Sequence, residues 1–339
     1  MKLNRYHYKA ASICFLFVTV VIYALHNLFN WESDHENIER LIPLLKADLK
    51  RTTEHPVVVA FQKKNSEQDV GLTLINYGEI FLKPDYLYPD IEEIFFRYLE
   101  KKDVICGNDV RLGSQHDGGW NVCMSPPFRL KKPCLVYSFG IGSDWRFEDD
   151  VYDYYKCRVL AFDPSIGKKE HNRTDLILFK PYGLGAVTDR LSNGWRMKSF
   201  RQHITDEGHL KKVIDYLKFD IEYLEWEVIK SLTKDNILQH VKQLAFEIHL
   251  LPVPITKEND RTLTKKEFVE KFEILKALEG IGFKKFNYRL NPFCGYTSTI
   301  TGTVRSKCYE LHYMNMDFVD TEHLEKKDAP SVSRSKKSL

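Results

Sequence analysis

Two stretches of this chain combine residue types that bind a nucleoside and move a proton. The first is Val136-Tyr137-Ser138-Phe139-Gly140-Ile141-Gly142-Ser143-Asp144, an apolar run that breaks into a glycine-rich turn. Glycine there lets the backbone approach a ligand closely. The next apolar run, 158–162, closes on Asp163. A carboxylate at that place suits the two hydroxyls of a ribose, the logic of the dinucleotide fingerprint. The full phosphate-binding Gly-x-Gly-x-x-Gly is absent, because Trp145 stands at its last position. That weighs against a pyrophosphate and an NAD(P)-linked oxidoreductase. It leaves room for S-adenosylmethionine, which carries a ribose and no phosphate. Gly140, Gly142 and Asp163, with Ser138 in the preceding strand, are the expected cofactor-binding residues.

The second stretch is Leu217-Lys218-Phe219-Asp220-Ile221-Glu222, followed further on by Phe246-Glu247-Ile248-His249. A period-2 reading brings Lys218, Asp220 and Glu222 to one side of a strand, emerging where open α/β sheets bind ligands. Methyl transfer to oxygen or nitrogen needs in-line approach and a group to take the proton. Asp220, Glu222, Glu247 and His249 are the expected catalytic residues. The same residue types suit an oxygen-loving divalent ion such as magnesium or manganese, with Asp220, Glu247 and His249 as the candidate ligands. The alternative is a solvated rim of helix caps and salt bridges.

The surrounding pattern supplies elements to position these groups. Strand candidates run over 134–139, 158–162, 175–179, 213–219 and 243–248. Helix candidates run over 89–99, 149–156, 222–231 and 266–279, the last with Phe268, Phe272, Leu275 and Leu278 on one side. Strands alternating with helices predict a mostly parallel sheet covered on both faces. Residues 107–133, rich in glycine around Arg111, His116, Asp117 and Trp120, are too long for an idle loop.

Taken together, several runs resemble the methyltransferase-like domain related to the FkbM methyltransferases. They are Asp117-Gly118-Gly119-Trp120-Asn121-Val122-Cys123, Tyr137-Ser138-Phe139-Gly140-Ile141-Gly142, Ala161-Phe162-Asp163-Pro164-Ser165, Leu217 to Glu222 with Glu225-Trp226, and Lys242 to His249. The resemblance covers roughly 101–318. It implies a class I, Rossmann-like methyltransferase fold, a seven-stranded sheet with an antiparallel last strand. It places S-adenosylmethionine above Gly140 and Gly142, with Asp163 on the ribose, and favours an oxygen acceptor. Tyr223 and Leu224 depart from the glycine that commonly follows the Asp-x-Glu element in FkbM relatives. A non-catalytic binding or scaffold protein that retains the fold is the alternative.

The remaining signals concern placement. Residues 10–28 are mostly apolar, with Lys2, Arg5 and Lys9 before them and Glu32, Asp34, Glu36 and Glu39 after. The run just reaches the span of a membrane helix, and the flanking charge predicts a cytosolic N-terminus. The expected organisation is a cytoplasmic tail (1–9), a transmembrane signal-anchor (10–28), a stem (29–100), the methyltransferase-like domain (101–318) and a disordered tail (319–339). This is a single-pass type II membrane protein of the Golgi or endoplasmic reticulum, or a secreted one if the first segment is cleaved. Its partners would be the membrane and a glycan, lipid or small-molecule acceptor. Asn172-Arg173-Thr174 is a glycosylation sequon, and Cys294 and Cys308 are placed to staple a late hairpin. Aromatic residues Trp120, Tyr182, Trp195 and Tyr223 could stack on sugar rings. With 50 basic and 47 acidic side chains, net +3, the charge gives no argument for nucleic acid.

Overall fold

The computed structural model describes residues 71–222, 224–251, 261–319 and 325–328, all within the compact unit Ala60–Leu339. Its centre is an eight-stranded sheet. In chain order the strands are β1 (Leu135–Phe139), β2 (Arg158–Phe162), β3 (His171–Asn172), β4 (Ile177–Lys180), β5 (Ile214–Phe219), β6 (Val241–His249), β7 (Phe283–Leu290) and β8 (Cys308–Asn315). Across the sheet they lie in the order β7-β8-β6-β5-β1-β2-β4-β3. Pairings β4–β2–β1–β5–β6 are parallel, while β8 is antiparallel to both β6 and β7. This α/β Rossmann-like mixed sheet is consistent with the class I methyltransferase fold. From β1 the chain winds one way through β2 and β4, then returns to build β5 and β6 on the other side. That reversal puts a crevice between the carboxyl ends of β1 and β5, where such sheets take ligands.

The strands read as continuous apolar runs because both faces are covered. On one face Phe139, Phe162, Leu217, Phe219 and Phe246 pack with α1 (Tyr88–Leu99), α4 (Glu225–Lys234) and α5 (Lys265–Gly280). Helix α1 buries Ile91, Phe95, Phe96, Tyr98 and Leu99, and its Phe95 ring meets Phe268 of α5 edge-on at 5.1 Å. Thr264 and Glu267 form a reciprocal capping box that starts α5. On the other face Val136, Val159, Tyr216 and Ala245 pack with Trp120 and Val122 from the hairpin Asp109–Leu112/Trp120–Cys123, and with Phe147 of α2 (Arg146–Asp150). Helix α3 (Phe200–Asp206) follows the small sheet Gly183–Leu184, Asp189–Arg190 and Arg196–Lys198.

Three disulfides staple this frame. Cys134–Cys157 joins the chain at the entries to β1 and β2. Cys106–Cys123 ties an edge strand to the hairpin, and Cys294–Cys308 closes the late turn. Asn172 is exposed on the edge strand β3.

The expectation of a transmembrane helix is corrected, and with it the membrane anchorage, the type II topology and the Golgi or endoplasmic reticulum placement drawn from it. No helix among the described residues is long and apolar enough to cross a membrane. The longest, α5, has 16 residues and alternates charged with apolar positions, short of the roughly 20 apolar residues that a bilayer requires. The segment 10–28 itself lies outside the described residues.

Candidate functional site

Gly140 leaves β1 with φ +68°, and a Cβ there would stand 1.5 Å from the Asp220 carbonyl oxygen. The two strand ends are tied at this point. The Gly140 N–H donates to the Phe162 carbonyl at 2.9 Å, and the Asp220 N–H donates to the Phe139 carbonyl at 3.2 Å. Only glycine lets the backbones pass so closely. Gly142, with φ +53°, faces open space where a Cβ would point. Its N–H donates to Asp163 Oδ2 at 2.8 Å, while Asp163 Oδ1 accepts from the Ser165 N–H at 2.7 Å and the Ser165 hydroxyl at 2.6 Å. Asp163 thus clamps the turns after β1 and β2 together. Three bonds leave the carboxylate some acceptor capacity, since an ionised one offers about four lone-pair sites.

Ser138 faces elsewhere. Its hydroxyl donates to Glu148 Oε1 of α2 at 2.5 Å, and both residues are fully buried. Lys218 lies between them and the turn. Its Nζ donates to the Gly140 carbonyl at 3.3 Å, sits 3.9 Å from Glu148 Oε1 and stands 5.2 Å above the Trp120 ring. Burial pushes the Glu148 carboxyl up, against the Lys218 charge and the Ser138 hydrogen bond. These groups support the glycine turn from beneath rather than lining the crevice.

The polar cluster forms beside that turn. Strand β5 ends at Phe219, so the period-2 alternation expected through Glu222 stops there. Asp220 lies just past the strand. Glu222 takes a left-handed backbone, φ +50°, and is 66% exposed. A non-glycine residue in that region is strained, and such strain gathers at functional sites. His249, at the end of β6, has Nε2 3.6 Å from Glu222 Oε2 and Nδ1 3.1 Å from Glu225 Oε1. Glu225 opens α4, is fully buried and also accepts from the Ile221 N–H at 3.3 Å. Burial opposes a charged imidazole. The Glu225 hydrogen bond, with the charges of Glu225, Asp220 and Glu247, outweighs it and raises His249 to about 9. Burial raises the Asp220 carboxyl, with Glu225 and Glu222 adding to the effect. Burial also raises Glu247, with the Asp220 charge adding. Glu247 Oε1 accepts from Asn291 Nδ2 at 3.0 Å.

The structure therefore brings Asp220, Glu222 and His249 together and adds Glu225, which stands in the sequence as an ordinary first-turn acid of a helix. Among the described residues, one group of potential metal-binding atoms is Asp220, Glu225 and His249, all within 4.8 Å of one another. A second group, Glu247 with Cys294 and Cys308, is no metal site, because both sulfurs are spent in a disulfide. Of the aromatic residues expected at the mouth, Trp120 is buried core. Tyr182 is covered by Lys198 and Arg196, with Lys198 Nζ 3.6 Å and the Arg196 guanidinium 4.6 Å from its ring. Trp195 is exposed, and Tyr223 lies outside the described residues.

The hairpin over this site is held by Arg111. It reaches Glu310 of β8 at 2.7 and 3.0 Å, Asn121 Oδ1 at 3.0 Å and the Ser114 carbonyl at 2.8 Å. Its glycines touch the turn after β1: a Cβ on Gly118 would meet Asp144 Oδ2 at 2.5 Å.

A family model described as "Methyltransferase domain" matches residues 83–303. The human and rat proteins named "Probable methyltransferase-like protein 24" are each 30% identical, over 175 and 177 residues. That is 46% of this chain in both cases, and 46% and 47% of theirs. The chain spans about half the length of these curated relatives. The solved structure of the Methanococcus jannaschii fibrillarin pre-rRNA processing protein overlaps 55% of this chain and 67% of its own, at 15% identity. Its TM-score of 0.31 is too low to carry an argument. The resemblance to the FkbM methyltransferases is corrected by these matches, which lead to a general methyltransferase domain and give no tie to that family. The matched segment contains the glycine turn, Asp163 and the whole Asp220–Glu222–Glu225–His249 cluster, and the chain belongs to the methyltransferase-domain family.

Proposed function

We propose that this chain is an S-adenosylmethionine-dependent methyltransferase acting on a hydroxyl, carried by a glycan or another small molecule. The observation that carries the reading is the approach of Gly140 to the Asp220 carbonyl at the switch of the sheet, with open space above Gly142. The residues fit the cofactor: a glycine turn without side chains, a fixed carboxylate at Asp163, and an acidic cluster that favours a cationic sulfur. When bound, S-adenosylmethionine supplies a methyl group whose S–C bond breaks as the O–C bond forms, the electron pair returning to sulfur.

The chain's own residues handle the acceptor. Asp220 and His249 orient its hydroxyl, and their shared charge holds it beside the crevice. Glu222, the exposed carboxylate of the cluster, takes the hydroxyl proton. Glu225 positions the His249 ring through Nδ1. Glu247 lies behind them and tunes the cluster's charge. The engagement of Asp163 by Gly142 and Ser165 favours a second reading, a non-catalytic binding protein that keeps the fold.

The test is calorimetry with S-adenosylhomocysteine, followed by transfer of labelled methyl from the cofactor to extract-derived acceptors. Binding should weaken several-fold in Asp163→Ala, since a hydrogen bond to the ribose contributes about 0.5–1.5 kcal/mol net. Transfer should fall in Glu222→Gln with binding retained. Binding without any transfer by the wild-type chain would favour the second reading, and no binding would sink both the site and the activity.

A further inference from the structure

We propose that Asp220, Glu225 and His249 form a binding site for one divalent cation of the manganese class. The three residues come from three elements that converge at the sheet's switch: the end of β5, the first turn of α4 and the end of β6. Two carboxylate oxygens and one imidazole nitrogen lie within 4.8 Å of one another. That is a spread one ion can bridge at ordinary bond lengths of about 2.0–2.6 Å.

An independent observation points to a missing partner. Glu225 is fully buried, and its Oε2 has no hydrogen-bond partner among the described residues. Asp220 Oδ1 is buried and unpartnered in the same way. Folded proteins leave few buried polar atoms unsatisfied, and ionised ones fewest. The near cation Lys218 does not supply that partner, since it is turned to Glu148 and the Gly140 carbonyl. A divalent ion would.

The donor set selects the ion. Carboxylate oxygens suit magnesium, calcium and manganese, and imidazole draws the choice toward a transition metal. Three protein ligands leave open positions for water or an acceptor oxygen. Glu247 is not in the set, because Asn291 holds its Oε1.

The inference deepens the methyltransferase reading and rests on it for its use. An ion at this place binds the acceptor hydroxyl through oxygen and stabilises the alkoxide that forms as Glu222 takes the proton. No electron is gained or lost by the metal.

Its test does not depend on turnover. The full chain, stripped with EDTA, is titrated with Mn2+ and followed by the loss of the free-ion electron paramagnetic resonance signal. One ion per chain is expected. Glu225→Gln and Asp220→Asn should each weaken binding at least tenfold, the range seen even for groups one shell further out, about 10–100-fold. Asp317→Asn, at the opposite end of the sheet, should leave it unchanged. The two substitutions at the site preserve side-chain shape, and a thermal melt of each confirms folding. If Glu225→Gln unfolds, Asp220→Asn carries the test, because Asp220 is only partly buried. Absence of stoichiometric Mn2+ binding, or wild-type affinity in the folded site variants, overturns the proposal. So does competition between S-adenosylhomocysteine and Mn2+, which would assign the carboxylates to the cofactor's ammonium. Binding of Mn2+ with no binding of S-adenosylhomocysteine would sustain the ion site while sinking the methyltransferase reading.

Discussion

Arg111 and Glu310 join the hairpin to strand β8 of the sheet through a two-pronged ion pair, 2.7 and 3.0 Å long, with both side chains buried. Glu310 opposes Glu247 across the β6–β8 ladder, so the pair also borders the acidic cluster. Arg111→Ala should strip the guanidinium from a buried carboxylate and leave it only the His312 imidazole, 3.5 Å away. Breaking such a pair from one side costs about 3–5 kcal/mol, and replacing both partners with apolar residues costs far less. Urea denaturation of Arg111→Ala and of the double variant Arg111→Met/Glu310→Leu checks this. Equal destabilisation by the two would show that lost packing, not the stranded charge, is responsible.

Gly140→Ala should damage both fold and cofactor binding. The left-handed backbone alone costs about 1–3 kcal/mol for a side chain, and the Cβ overlaps the Asp220 carbonyl as well. Gly142→Ala meets no such overlap, so its cost should be confined to the backbone conformation. Thermal melts of the two variants should rank them in that order, and the reverse order would refute the close approach.

Removing Cys134–Cys157, which closes a sequence separation of 23 residues, should lower stability by about 2–4 kcal/mol, chiefly by freeing the unfolded chain. Serine replacing both cysteines, compared with the parent in denaturant without reductant, measures the effect. Reductant added to the parent should produce a loss at least as large, since all three bridges then open.

Acid should loosen the start of α5. The hydrogen bond from Arg261, together with those of Thr264, lowers Glu267 to about 2 against burial. A carboxyl with a folded pKa below its unfolded value contributes stability that is complete above about 4.5 and is lost as pH falls toward about 2. Glu267→Gln should therefore be less stable than the parent at pH 7, and the gap should close as the pH falls through that window. A constant gap from pH 6 to pH 2.5 would remove Glu267 from the acid response.

Much of the frame is legible in the sequence because it follows from local chemistry. The apolar runs at 134–139, 158–162 and 213–219 become β1, β2 and β5, since a strand buried on both faces needs apolar residues throughout. The period of Phe268, Phe272, Leu275 and Leu278 gives α5, and Gly140 and Gly142 mark the turn, where both take a positive φ and a Cβ on Gly140 would meet the Asp220 carbonyl. The site itself is less local. Period 2 continued past Phe219 places Glu222 beside Lys218, yet the strand ends there and the left-handed turn at Glu222 redirects its side chain toward His249. Ser138, set by sequence on the cofactor, is claimed by Glu148 from a neighbouring helix. Glu225 enters the site through His249, 24 residues away, and Arg111 reaches Glu310 across 199. No spacing rule links such pairs. The sequence by itself determined the alternation of elements, the glycine turn and the methyltransferase-like class of the domain, because backbone conformation and side-chain type act over a few residues. Only the tertiary structure decided which carboxylates share one buried space. That choice depends on the winding order that sets β5 between β1 and β6, and on the low dielectric into which those strands carry their charges.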